Sequence, residues 1–137
     1  MSHIATSEFT NSLIINKILN ERYQLDSVEE TEYIPITSIL FLQSSKNYTK
    51  FHLNDNRFKL SSNNLKYHEL NLPKEFFFRI HHSFLINILH LSIIKKKGSL
   101  LAIMSSGDSI PISFRRKKDI LSEINQSIII RNKTLIL

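Results

Sequence analysis

From Arg22 onward the apolar residues of this chain come in short runs with a period of two, and nearly every run stops at a turn signal. Successive side chains in a strand alternate between faces. Thr49, Phe51 and Leu53 therefore fall on one face of an extended segment, and Tyr48, Lys50 and His52 on the other. Asp55-Asn56, Gly98 and Ser106-Gly107-Asp108 mark hairpin reversals. Many short strands with such turns imply small sheets folded over one another.

The period-two reading gives a first strand through Tyr23, Leu25 and Val28. A second runs through Ile34 and Ile36 and then Ile39–Leu42, with Pro35 favouring a sheet edge. Thr49–Leu53 returns through Arg57–Leu60, and Phe76–His81, Leu91–Ile94, Leu100–Met104 and Ile110–Ser113 read as further strands, with Ser83–Asn87 an apolar stretch. Three segments switch to three- and four-residue spacing. Glu8–Glu21, capped by Ser7, presents Phe9, Leu13, Ile14, Ile18 and Leu19 to the domain or to a partner. Asn63–Leu72, capped by Ser61 or Ser62 and stopped by Pro73, turns Leu65 and Leu72 inward. Arg115–Gln126 buries Ile120, Leu121 and Ile124. The segment 128–137 is apolar and strand-like and has no assigned place. The expected fold is mainly β with short α-helices: an N-terminal helical extension (1–21), a domain (22–126) and a C-terminal tail (127–137).

Several chemistries are disfavoured. Cysteine is absent, which removes disulfides, thiolate zinc sites and thiol nucleophiles. No apolar run approaches the ~18 residues that span a bilayer, and the start lacks the order of a secretory signal. A soluble cytoplasmic protein with no membrane contact is expected. None of His3, His52, His68, His81, His82 and His90 pairs at HExxH spacing. His81 and His82 are adjacent, so on a strand they should diverge, and no metal is expected. Ser83 beside His82 has no third partner in the sequence, and Asp55, Asp108 and Asp119 show no convergence. The only glycines, Gly98 and Gly107, make no phosphate loop. The chain therefore reads as a non-enzyme with no cofactor and no small-molecule substrate. The enzymatic rival is a small nuclease using His81 or His82.

Charge is distributed unevenly. Residues 1–44 carry Lys17 and Arg22 against six acidic side chains, whereas residues 45–137 carry 16 basic and 6 acidic side chains. A basic body behind an acidic lead suits a polyanion, nucleic acid first; a solubilising surface charge is the alternative. Arg115, Arg116, Lys117 and Lys118 sit at a helix start, where the helix dipole disfavours cations by a few tenths of a kcal/mol each, roughly. An anion brought there would reverse that cost, and Arg can also read guanine through paired hydrogen bonds. A solvated charged face is the competing reading. Arg79, His81 and His82 form a second group. His81 reads as a hydrogen-bonded residue fixing a turn, and His82 as a surface residue open to contact. Asn47, Tyr48 and Lys50 form a third group, of side chains common at phosphate backbones. Lys95-Lys96-Lys97 is a hairpin tip that adds non-specific attraction at most.

Four segments resemble the LytTR family. Phe77-Phe78-Arg79-Ile80-His81-His82-Ser83-Phe84-Leu85-Ile86-Asn87 is similar to its signature of aromatic, Arg, any residue, His, polar, Ser, apolar residues and Asn. Ile39–Gln43 followed by Lys46-Asn47-Tyr48-Thr49 resembles its strand and NYT loop. Leu72-Pro73 ahead of Phe76–Arg79 fits as well, and Gly107–Arg115 resembles the turn leading into its last helix. Order and spacing hold over about residues 22–126. The resemblance implies about ten short strands in small, mostly antiparallel sheets. It also implies a transcription regulator that binds double-stranded DNA through loops entering successive major grooves, often at repeated sites. Carried over by position, Asn47 or Tyr48, His82 and Arg115, with Arg116 and Lys117 near, are the contacting residues. Lys50 stands close by. Arg79, His81 and Asn87 shape the site, with Arg79 able to touch phosphate. Two departures stand out: His82 occupies a position where Arg is usual, and Phe114 one where Arg often follows Ser. A receiver domain, common upstream in relatives, is not expected within the 21 residues before the first strand. A homodimer through residues 8–21 would suit repeated sites. An interaction module without DNA binding is the alternative.

Overall fold

The computed structural model describes residues 3–131. Helix α1 spans His3–Leu19, and a two-stranded ribbon follows, β1 (Arg22–Asp26) against β2 (Thr31–Pro35). A 3-10 turn, Ile36–Ser38, leads into the central sheet: β3 (Ile39–Ser45), β4 (Tyr48–Leu53), β5 (Phe58–Ser61), then helix α2 (Leu65–Asn71), β6 (Phe77–His81) and β7 (Phe84–Asn87). A second 3-10 turn, Ile88–His90, precedes β8 (Leu91–Lys95), β9 (Leu101–Met104) and β10 (Ser109–Pro111), and the described chain ends in α3 (Lys117–Asn125) and α4 (Ile128–Arg131). The central sheet has the order β5-β4-β3-β7-β6, the third sheet the order β10-β9-β8, and every strand pair is antiparallel.

The alternation read from the sequence decides the core. Thr49, Phe51 and Leu53 are buried, as are Leu42 and Leu85, which pair in register across β3 and its neighbours. Full burial of one such large side chain contributes roughly 1.5–3 kcal/mol. Leu65 and Leu72 point inward from the ends of α2 as expected. Gly98 and Gly107 take positive φ at 79° and 92°, backbone that a side chain with a Cβ adopts only under strain, and they close the β8–β9 and β9–β10 hairpins. Pro35 sits in a two-stranded ribbon, where its missing N–H costs no central ladder bond.

Six expectations need correction. Helix α1 begins at His3, so Ser7 lies inside it and is not its cap, while Ile15 and Ile18 pack into the core. Val28 is fully exposed in the β1–β2 turn, because the strand ends at Asp26. The run Ile34–Leu42 is broken by the 3-10 turn into separate strands, which bends the chain from the ribbon into the central sheet. Helix α2 is capped by Asn64, whose side chain accepts the Tyr67 N–H at 2.9 Å; Ser61 instead accepts the Asn63 N–H, so the expected caps lay two or three residues too early. In α3, Ile120 and Ile124 are buried but Leu121 only partly. Ile128–Arg131 is helical rather than strand-like, with Ile129 in the core. The remainder of that tail, 132–137, lies outside the described residues.

Candidate nucleic-acid interface

The three clusters singled out by charge and motif lie on three different segments, and the sheet order brings those segments to one edge. β3 and β7 are antiparallel neighbours with Gln43 opposite Phe84, so the β3–β4 turn and the β6–β7 turn emerge on the same side. The Ser44 N–H donates to the Ser83 carbonyl at 2.8 Å and ties these two turns together. Asn47 and Tyr48 project from the first turn, exposed, with Lys46 at φ 57° setting its shape. Lys50 follows on the outer face of β4, its Nζ 4.1 Å from the centre of the Phe58 ring.

A β-bulge supplies the third segment. Arg79 pairs with Leu85 and His81 with Phe84, which leaves Ile80 as the extra residue of β6. Ile80 is buried, and its carbonyl accepts the Ser113 N–H at 2.8 Å. That bond fastens Ser113-Phe114-Arg115-Arg116 beside the β6–β7 turn. An open cleft of about 730 Å³ results, lined by Arg79, His81, His82, Phe114, Arg115 and Arg116 among others.

The bulge also overturns one expectation. His81 and His82 do not diverge; their rings lie 4.3 Å apart, because His82 has already entered the turn. They end a line of rings that crosses four strands. His52 stacks on Phe41 at 4.1 Å, Phe41 meets Phe84 at 6.2 Å, and Phe84 meets His81 at 5.7 Å. His81 Nδ1 accepts the Ser83 N–H at 3.1 Å, a bond that requires that nitrogen to be unprotonated. Partial burial, then the charges of His82 and Arg79, hold the His81 pKa below the usual histidine value. No group of three or more metal-ligating side chains occurs among the described residues.

The three arginines of this edge are engaged differently. Arg79 donates to Glu69 at 2.7 Å and to the carbonyls of His81 and His82, so its fork is engaged by the turn it supports. Three charge-assisted donors on one guanidinium fix the turn's shape. Arg115 is exposed, and among the described residues its side chain has no ion pair or hydrogen bond. Arg116 stands at the N-cap of α3 with no side-chain cap and reaches Glu123 only at 4.0 Å. Lys117 and Lys118 follow, exposed. Four cations thus surround a helix start whose dipole already favours an anion, partly offset by Asp119 in the first turn.

Sequence reasoning did not find the bond from Ser113 to Ile80; the bulge behind it has no composition of its own, and Ile80 reads as ordinary core. It placed Asn87 near the site without its partners. The side chain is buried at the end of β7 and joins both 3-10 turns.

Residues 29–125 match the family model described as LytTr DNA-binding domain. The chain belongs to the LytTR family. Among solved structures, the LytTr DNA-binding domain of a putative methyl-accepting/DNA response regulator from Bacillus cereus is similar to it, with a TM-score of 0.65 and 20% identity over 78% of this chain and 98% of that one. At that identity the likeness bears on the fold alone, and it is the expected one: short strands in small antiparallel sheets with a few short helices. No match was found among curated proteins. LytTR is a DNA-binding family rather than a catalytic one, and in this LytTR domain the exposed Arg115 and Arg116 line the cleft beside His82. No helix among the described residues is long and apolar enough to cross a membrane.

Proposed function

We propose that this LytTR domain is the DNA-reading part of a cytoplasmic transcription regulator and binds duplex DNA sequence-specifically. The β3–β4 turn, the β6–β7 turn and the segment leading into α3 enter the major groove or track its rim. What carries the reading is the convergence of three loops on one edge through two backbone bonds, Ser44 to Ser83 and Ser113 to Ile80. Phosphate contacts from Tyr48, Lys50, Arg116 and Lys117 supply most of the affinity and make it salt-sensitive. Arg115 and His82, exposed and side by side with that rim, supply base preference. Arg79 acts through the turn it holds. The nuclease reading has only the paired rings of His81 and His82 behind it.

Replacing Arg115 by Ala tests the assignment. Affinity for the preferred duplex should fall by about 1–3 kcal/mol, with discrimination relaxed at one position and stability nearly unchanged. Equal affinity of variant and parent, measured by anisotropy titration on that duplex, would remove Arg115 from the interface. Repeated sites and pairing of two copies through residues 8–21 extend the proposal. Leu13 and Ile14 remain exposed on α1 for such a contact, while Ile15 and Ile18 are taken by the chain's own core. Sedimentation that finds one copy per molecule both free and on a two-site duplex would rule out the pairing.

A further inference from the structure

Phe114 is 79% exposed. It stands between Ser113, anchored by its bond to Ile80, and the cations Arg115, Arg116 and Lys117. Among the described residues its one ring contact is with Lys117 Nζ, 5.9 Å from the ring centre and near the outer limit of about 6 Å for a cation–π attraction. A phenylalanine gains roughly 1.5–3 kcal/mol when fully buried, and here that gain is unrealised although the buried Ile112 and Ile120 are close in sequence. The anchor at Ser113 holds the ring out, in the most cationic stretch of the chain. A surface so charged selects a polyanion over an apolar protein face. The apolar group that a duplex offers in its major groove without unstacking is the C5-methyl of thymine.

We propose that Phe114 is a specificity-determining residue that packs on a thymine C5-methyl beside the base pair met by Arg115. This rests on the DNA-reading function proposed above and adds a base preference to it. A phenylalanine makes the preference one of shape and hydrophobicity: a methyl is favoured, and an unmethylated pyrimidine at the same place leaves the ring against water.

The test uses the full chain and a duplex recovered from a random pool. Each thymine of that duplex is replaced in turn by deoxyuridine, which lacks only the methyl, and binding is measured for the parent and for Phe114→Ala. Loss of one methyl contact should weaken the parent about fourfold at one position, and the same replacement should leave Phe114→Ala unaffected. Circular dichroism of the variant should match the parent, since the ring takes no part in the core. A recovered motif that the parent binds equally with and without its thymine methyls overturns the proposal while leaving DNA reading intact. So does a deoxyuridine penalty that persists undiminished in Phe114→Ala. Failure to recover any motif overturns both this proposal and the reading beneath it.

Discussion

Asn87→Ala should lower the free energy of unfolding by roughly 3–5 kcal/mol, a large part of the 5–15 kcal/mol typical of a domain. Asn87 is 0% exposed. Its Nδ2 donates to the carbonyls of Ile36 at 3.2 Å and Ile39 at 2.8 Å, and its Oδ1 accepts the Leu89 N–H at 3.1 Å. Those three backbone groups belong to the two 3-10 turns and the start of β3, segments about fifty residues apart in sequence. Truncation strands them in a place water does not reach, and each stranded group costs about 1–3 kcal/mol before relaxation. Asn87→Asp separates the hydrogen bonds from the packing. It keeps the shape but turns the two-donor end into an acceptor facing two carbonyls, so it should destabilise at least as much as Ala at neutral pH. Urea unfolding of the three proteins checks this. An Asn87→Ala protein within 1 kcal/mol of the parent would mean that these bonds contribute little.

Acidification from pH 6.5 to about 4 should remove about 3 kcal/mol of stability through one side chain, His68. The ring is 1% exposed, and burial lowers its pKa to about 4. Its two nitrogens meet two hydroxyls: Tyr23 Oη lies 2.7 Å from Nδ1 and Ser61 Oγ 2.8 Å from Nε2. The neutral ring satisfies both, with the Tyr23 hydroxyl donating to Nδ1 and Nε2–H donating to Ser61, while Ser61 also accepts from the Asn63 N–H. Protonation turns the acceptor nitrogen into a donor in a buried aromatic cage of Phe51, Tyr23 and Tyr67. Between pH 6.5 and 4 the unfolded chain binds the proton and the folded one does not, so stability rises with pH across that window and is fully present above it. His52, held down by burial and then by the charge of Lys50, and His81 act in the same direction. The lowered carboxyl pKa values of Asp26 and Asp55, held by hydrogen bonds from Gln24 and Arg57, act at lower pH. His68→Gln, which cannot titrate, should flatten the slope whatever its stability at neutral pH. An equal slope in parent and variant would show that His68 is not the group responsible.

Strand pairing was legible because period-two alternation maps directly onto the two faces of a sheet: Thr49, Phe51 and Leu53 are buried, while Tyr48 is exposed and Lys50 and His52 half-buried on the other face. The interruption at Ile36–Ser38 was not legible, since Ile34, Ile36 and Ile39 carry the apolar pattern across it and only the turn geometry separates them. The cap of α2 was misplaced because Ser61, Ser62, Asn63 and Asn64 are all capping residue types, and Ser61 is already committed to His68. At the candidate interface, motif and charge named the exposed residues but not what holds them. The bulge at Ile80 breaks alternation by one residue, which brings the His81 and His82 rings together and turns a carbonyl toward Ser113. The engagement of Arg79 with Glu69 likewise joins positions ten apart across a helix and a strand, a contact that no local pattern encodes.

The central claim is that this edge reads a sequence rather than merely attracting phosphate. Selection of bound duplexes from a random pool, at near-physiological salt and with excess competitor DNA, measures that difference directly. Enrichment of a short motif, present as a spaced repeat, is the predicted result. Recovery of protein-bound duplexes with no enriched motif would contradict the claim and leave only the non-specific attraction of a basic surface.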